Sequence, residues 1–248
     1  MNIKKKNLDR LFGTQKPIIG MVHLKGETDK EIFRTALREI DILINNGIDA
    51  VMIENYFGEP HNVEDVLEYL YDYRDKLIYG VNILGDHYKA YDLADKYGAS
   101  FIQIDSIAGH LNRSDDHDFE EEINRLRKYS NTYLFGGVRF KYQPYLSKRT
   151  LQQDLIIGMR RCESIVVTGD ATGHETSLAK IKEFREVIGE FPLIVGAGLT
   201  VDNCAEQLKI ADAGIVGSYL KDNHKDYGDV SEQNTREFMD KVKTLRMK

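Results

Sequence analysis

Pro192-Leu-Ile-Val-Gly-Ala-Gly-Leu-Thr200 and Ala213-Gly-Ile-Val-Gly-Ser-Tyr-Leu-Lys221 are two versions of one pattern, a short apolar run that stops at glycine. In the first, Val195 leads into Gly196 and Gly198, and Thr200 or Asp202 is placed to cap a following helix. A strand ending this way leaves backbone N–H groups pointing outward, and such groups cradle anions. Glycine also makes ordinary tight turns. What gives the pair weight is its tandem placement, about one strand–helix repeat apart.

Working outward from this pair, apolar β-type runs recur along the chain at 17–23, 49–55, 77–84, 100–105, 133–141, 163–168, 192–196 and 213–217. The stretches between them carry the 3,4 spacing of helices, as in Ile32, Ala36, Leu37, Ile40, Leu43 and Ile44. Strict alternation of strand and helix implies a parallel sheet. Strand interiors such as Ala50-Val-Met-Ile53 and Ile165-Val-Val167 are apolar on both faces, as in strands covered by helices outside and packed inside. Eight repeats can close on themselves, so a (β/α)8 barrel is expected over residues 1–248. An open doubly wound sheet has the same periodicity and stays as the competing architecture. The stretch 1–15, with Leu8, Leu11 and Phe12 among polar residues, reads as a short helix covering the barrel bottom.

In such a barrel the site lies where strands end, so polar residues there take on functional interest. His23 ends the first strand, Glu54 the second, Asn82 the third and Asp105 the fourth; Arg139 and Lys141 end the fifth and Thr168 the sixth. Side chains alternate along a strand, which pairs Met21 with His23, Met52 with Glu54, Gln103 with Asp105 and Arg139 with Lys141 on common faces. If those faces point inward, acids and bases meet at the mouth. An ion-pair network is the bland alternative, although a ring of desolvated charges costs more than an apolar filling. The turn Val167-Thr-Gly-Asp-Ala-Thr-Gly173 follows the sixth strand and stands beside the two glycine turns.

Composition narrows the function classes. With 248 residues and 42% hydrophobic content the chain can bury a large core in one domain. A net charge of −6, with both signs well mixed, argues against a nucleic-acid-binding face. No apolar run approaches the roughly 20 residues that span a bilayer, and Lys4-Lys5-Lys6 precedes no signal-peptide core. No membrane insertion is expected, and a cytoplasmic location is. Cys162 and Cys204 have no paired spacing, which fits a reducing compartment. Ser114-Asp-Asp-His-Asp118 is acidic as a first helical turn should be and makes an unconvincing metal site.

Taken in order, Pro17-Ile-Ile-Gly-Met-Val-His-Leu24, Gly47-Ile-Asp-Ala-Val-Met-Ile-Glu-Asn55, Gly80-Val-Asn-Ile-Leu84, Val167–Gly173, Val195-Gly-Ala-Gly-Leu-Thr-Val-Asp-Asn203 and Ile215-Val-Gly-Ser218 resemble the BtpA/SgcQ family across nearly the whole chain. The resemblance implies a barrel of the ribulose-phosphate-binding type. Departures fall on the first five strands. Lys25-Gly26-Glu27 replaces a Pro- and Gly-rich loop, Gly85-Asp86-His87 an Asn-Asp pair, Gln103 and Asp105 an Arg and Asn, and Lys141-Tyr142 a Lys-His. A phosphate grip therefore carries over better than any particular chemistry.

These readings lead to an enzyme acting on a phosphorylated small molecule, a sugar phosphate or nucleotide-like compound, by isomerase, epimerase or aldolase-type chemistry. Its phosphate would meet Thr168, Gly169, Thr172, Gly196, Ala197, Gly198, Gly217 and Ser218. Glu54 or Asp105 would be the general base, His23 an acid or orienting group, and Lys141 an electrophile, with Asn82 and Arg139 completing the catalytic set. No cofactor is required by this reading. A non-catalytic assembly protein of the BtpA type is one alternative, and a metal-dependent hydrolase using His23, Glu54 and Asp105 is another. Barrels of this type often self-associate, so a homo-oligomer is expected.

Overall fold

The computed structural model describes residues 8–247. Residues 1–7 of the expected N-terminal helix lie outside the described residues. The helix α1 spans Leu8–Phe12, and its Phe12 ring packs 6.0 and 6.5 Å from the rings of Phe101 and Phe135.

Eight strands, β1 (Ile18–Val22), β2 (Ala50–Glu54), β3 (Tyr79–Asn82), β4 (Phe101–Ala108), β5 (Tyr133–Val138), β6 (Ser164–Val167), β7 (Leu193–Val195) and β8 (Ala213–Val216), pair in sequence order, and β8 returns to β1. Every pairing is parallel. The closed barrel removes the open-sheet alternative. Helices α2 (Asp29–Asn45), α3 (Pro60–Tyr71), α4 (His87–Tyr97), α5 (Arg113–Tyr129), α6 (Leu151–Arg161), α7 (Leu178–Ile188) and α8 (Cys204–Ile210) connect the strands, and α9 (Glu232–Arg246) follows the last. Their starts are local chemistry: the side chains of Thr28, Asp86, Asn112, Thr150, Ser177 and Ser231 each accept a hydrogen bond from a first-turn amide.

Strand alternation divides the apolar residues into two cores. Ile18, Val22, Val51, Ile53 and Val81 face outward to the helices. Ile19, Met21, Met52, Phe101, Phe135, Val166, Ile194 and Ile215 fill the barrel interior. Met21 and Met52 therefore share the inner face with His23 and Glu54, as strand parity requires.

Two strand ends depart from the sequence expectation by three residues. β4 runs to Ala108 rather than stopping at Asp105, with an irregular register against β5 between Ile104 and Ala108. The bulge brings β4 so close to β5 that a Cβ on Gly137 would lie 2.0 Å from the Asp105 carbonyl oxygen. Only glycine fits there. β5 in turn stops at Val138, because Arg139 adopts a left-handed backbone (φ 48°).

A buried arginine ties the outer layer to the bulge. Arg161 of α6 donates to the carbonyl of Ile107 at 2.8 Å and to Asp116 of α5 at 2.6 Å, with Glu120 a further partner at 2.8 Å. Arg149 also donates to Asp116, at 2.7 Å. The acidic run at the start of α5 is thus partly a buried counter-charge. Asp116→Ala leaves the Arg161 guanidinium short of its main partner, and a loss of about 3 kcal/mol in unfolding free energy is expected by chemical denaturation.

Candidate active site

The two glycine turns lie on the same rim of the barrel. Residues 196–198 and 217–218 line one cavity of about 60 Å³ together with His23, Glu54, Lys141, Thr168 and Thr172. Thr176 Oγ1 donates to the carbonyls of Gly196 and Ala197 at 2.7 and 3.4 Å, and Asn203 Nδ2 to that of Gly198 at 2.9 Å. The carbonyls are thereby occupied. Among the described residues, the amides of Ala197, Gly198, Gly217 and Ser218 make no hydrogen bond. Ala197 (φ 61°) and Gly198 (φ 64°) are both left-handed. A side chain on Gly198 would lie 2.3 Å from the backbone at His174 and Glu175, so both its conformation and its surroundings demand glycine.

Two of the residues expected at the site are placed otherwise, and a third, Gly196, stays on the cavity wall with its amide engaged elsewhere. The Gly196 amide is spent on the carbonyl of Val167 at 2.9 Å, continuing the strand ladder. Gly169 is absent from the cavity wall; it is glycine because the backbone of His174 and Glu175 approaches within 2.9 Å of where its Cβ would be. Arg139 does not share the mouth with Lys141. Once the backbone turns at Arg139, its guanidinium leaves the barrel and binds the buried carboxylate of Asp154 at 3.0 Å and the carbonyl of Arg149 at 2.6 Å.

Lys141 does reach the cavity, where its Nζ donates to Thr172 Oγ1 at 2.7 Å. Its own amide donates to Thr168 Oγ1 at 3.1 Å. Thr172 is held from two further sides, by the Tyr56 hydroxyl at 3.2 Å and by its own amide donating to the Tyr142 hydroxyl at 2.9 Å.

His23 is buried and stacks on Tyr56, with ring centroids 4.9 Å apart. Its Nδ1 lies 3.1 Å from the carbonyl oxygen of Asp226. A carbonyl can only accept, so Nδ1 carries the proton and Nε2 offers a lone pair. Nε2 faces Gly217, 3.5 Å from where a Cβ would stand. Burial, followed by the positive charge of Lys221 and to a lesser extent that of Lys141 and Lys25, pushes the imidazole down to about 3 against the hydrogen bond to Asp226. His23 is thus held neutral, with Nε2 the nitrogen left free to accept.

Opposite stands a chain of hydrogen bonds. Asn82 Nδ2 donates to Glu54 at 2.8 Å and to Asp105 at 3.0 Å, and Gln103 Nε2 donates to the same Asp105 oxygen at 3.0 Å. Burial and then the charge of Asp105 push Glu54 up to about 8, outweighing the charge of Lys141 and the Asn82 hydrogen bond. Glu54 holds its proton at neutral pH. Among the described residues no three His, Cys, Asp or Glu side chains form a group that could hold a metal ion, so His23, Glu54 and Asp105 do not assemble the alternative metal centre.

Several residues that matter here were not singled out from the sequence. Lys25 Nζ binds Glu39 at 3.4 Å and Asp229 at 2.7 Å, and Lys221 Nζ binds Glu39 at 2.8 Å, all behind His23. Lys25 also donates to the carbonyls of Tyr227 and Gly228, which holds the loop that supplies the Asp226 carbonyl. Lys221 is the last residue of the second glycine segment, and Gly173 closes the Thr-Gly turn; both positions were visible signals. Tyr56 and Asp226 gave none.

Comparison with known proteins places this arrangement. The sequence profile of the BtpA family matches residues 74–244. This chain belongs to the BtpA family. An uncharacterized protein of Thermococcus kodakarensis is 30% identical over 257 residues, covering 94% of this chain and 97% of its own. The photosystem I biogenesis protein BtpA of Synechocystis is 25% identical over 241 residues, covering 87% and 84%. Among solved structures, thiamine phosphate pyrophosphorylase from Pyrococcus furiosus superposes with a TM-score of 0.63 at 14% identity, over 96% of this chain and 99% of that one. At that identity the likeness shows the barrel fold. No helix among the described residues is long and apolar enough to cross a membrane.

The opposite displacements of Glu54 and His23 give this BtpA-family barrel a pH signature. An unfolded Glu54 loses its proton near 4.5 and the folded one near 8, so across that interval the folded state binds more protons and stability falls as pH rises. Neutral His23 acts the other way, between about 3 and 6.5. From pH 6.5 to 8 the Glu54 decline stands clear of the His23 rise. Urea titrations followed by circular dichroism should show that decline in the wild type and a flatter profile in Glu54→Gln.

Proposed function

We propose that this BtpA-family barrel is an enzyme that binds a phosphorylated small molecule and moves a proton on it by acid–base catalysis. The observation that carries this reading is the convergence of the 196–198 and 217–218 turns with Lys141, Thr168 and Thr172 on one cavity that Glu54 and His23 also line. Phosphate would be held by the amides of Ala197, Gly198, Gly217 and Ser218, with the Lys141 ammonium adding charge.

The chemistry follows from the two perturbed groups. Once ionised, a carboxylate with a pKa near 8 is a base strong enough to remove a proton from a carbon beside a carbonyl. The electron pair freed from the C–H bond moves onto the carbonyl oxygen, where the Lys141 charge stabilises it. The proton, now on the Glu54 carboxyl, returns to the former carbonyl carbon in an isomerisation, while the hydroxyl proton of the first carbon passes to the other oxygen; in an epimerisation Glu54 keeps it and a second acid gives a proton to the opposite face. His23, acceptor-only at Nε2, would orient a substrate hydroxyl. Asn82 keeps Glu54 and Asp105 apart while bonded to both.

Inorganic phosphate should raise the thermal midpoint of the wild type in the millimolar range, and Lys141→Met should abolish most of the rise. No stabilisation by phosphate in the wild type would remove the grip on which the reading rests. For the chemistry, a panel of aldose and ketose phosphates in D2O should include one whose proton beside the carbonyl exchanges with solvent by NMR. Glu54→Gln should slow that exchange by about 10²–10⁴-fold; exchange that persists in the variant would remove Glu54 from the role.

A further inference from the structure

The anion-sized cavity opens onto a second, larger one. Glu54, Gln103, Phe140 and Lys141 line both, so the two form one continuous site with the charged residues at the neck. The outer chamber measures about 520 Å³, within the range of pockets that bury most of a small ligand, about 300–1,000 Å³. A pentose phosphate anchored in the inner cavity would fill the neck and leave this chamber untouched.

The walls of the chamber are mixed in a specific way. Ile83, Ile104, Leu111, Phe119 and Phe140 supply apolar surface, which suits a flat ring better than a sugar studded with hydroxyls. Gln103, Ser106 and His110 line the same chamber, and each carries a buried polar atom with no hydrogen-bond partner among the described residues: Gln103 Oε1, Ser106 Oγ and His110 Nδ1. Gln103 and Ser106 are only 5% and 6% exposed. The Gln103 amide is fixed by its Nε2 bond to Asp105, which leaves Oε1 an acceptor without a donor. His110 packs edge-on to Phe119 with centroids 5.2 Å apart, and burial pushes its imidazole down to about 4. A neutral imidazole and a hydroxyl each both donate and accept. The β4 bulge is what turns Ser106 toward the same chamber as Asp105.

An acceptor and two donor–acceptor groups on an apolar wall match a ring whose edge carries N–H beside carbonyl or ring nitrogen. A plain hydrocarbon ring would leave Gln103 Oε1 buried without a partner, at a cost of about 1–3 kcal/mol. We infer that the ligand of this site is a nucleoside 5′-monophosphate or a close analogue, with phosphate on the glycine turns, sugar at the Glu54–Lys141 neck and a nitrogen heterocycle in the chamber lined by Gln103, Ser106 and His110. The inference rests on the phosphate reading above and extends it to the other end of the ligand.

Titration calorimetry on the full chain separates the two. The probes are inorganic phosphate, ribose 5-phosphate, the 5′-monophosphates of adenosine, guanosine, cytidine and uridine, and the four parent nucleosides. At least one monophosphate should bind about tenfold or more tightly than ribose 5-phosphate, the worth of one good hydrogen bond in the chamber. In Ser106→Ala/His110→Phe that advantage should shrink to about twofold or less while affinity for inorganic phosphate holds. If ribose 5-phosphate binds as tightly as all four monophosphates and still needs Lys141, the chamber assignment is overturned and the phosphate grip stands. If nucleosides bind as well as their monophosphates, the chamber assignment stands and the grip falls. If no probe binds, both fall. The wild-type series decides between these outcomes without the double variant.

Discussion

Closure of eight parallel strands imposes one parity on the whole barrel. Each strand sends alternate residues inward, and a shift of one residue in any strand would exchange its buried and helix-facing sets. Ile19 and Met21 lead up to His23, Ala50 and Met52 to Glu54, Phe101 and Gln103 to Asp105, all on the inner face. The polar mouth is therefore the continuation of the apolar interior, and the same constraint that packs Phe101 against Phe135 at 4.7 Å positions the ionisable groups above them.

Crowding those groups at one end has an electrostatic cost that shows in their protonation. Glu54 cannot share its surroundings with Asp105 in ionised form without strain, so it retains its proton; Asn82 bridges the two. On the other side, burial, reinforced by cationic lysines behind and beside it, keeps the His23 imidazole neutral. Neither displacement comes from a single neighbour. Each is a property of burial at a barrel mouth ringed by charges of both signs.

How much of this was legible follows from where the information sits. Strand–helix alternation, the terminal glycine turns and the polar strand ends are local patterns, and they led directly to a closed barrel and to His23, Glu54, Asn82, Asp105 and Lys141 at its mouth. Arg139 went astray because its left-handed turn is stabilised by Asp154, a residue of α6 that no pattern around Arg139 reveals. Gly169 and Gly198 look alike in sequence and both pack against the backbone at residues 174–175; only their places at the rim, Gly198 on the cavity wall and Gly169 off it, tell them apart. The charge on His23 was also beyond reach, since burial and lysines as far along the chain as Lys141 and Lys221 decide it.

The two flanks of the mouth are fastened by very different means. On the β1–β8 side, the loop carrying Asp226 hangs from Lys25, and Lys25 and Lys221 share the buried carboxylate of Glu39; pulling that loop away would strand like charges in the interior. On the β5–β6 side, Thr172 is attached through hydroxyls and amides near solvent, with the Tyr142 ring 66% exposed, contacts that water replaces at small cost. The barrel thus has a buried, ion-paired jamb beside His23 and a hydrogen-bonded jamb nearer to solvent beside Lys141.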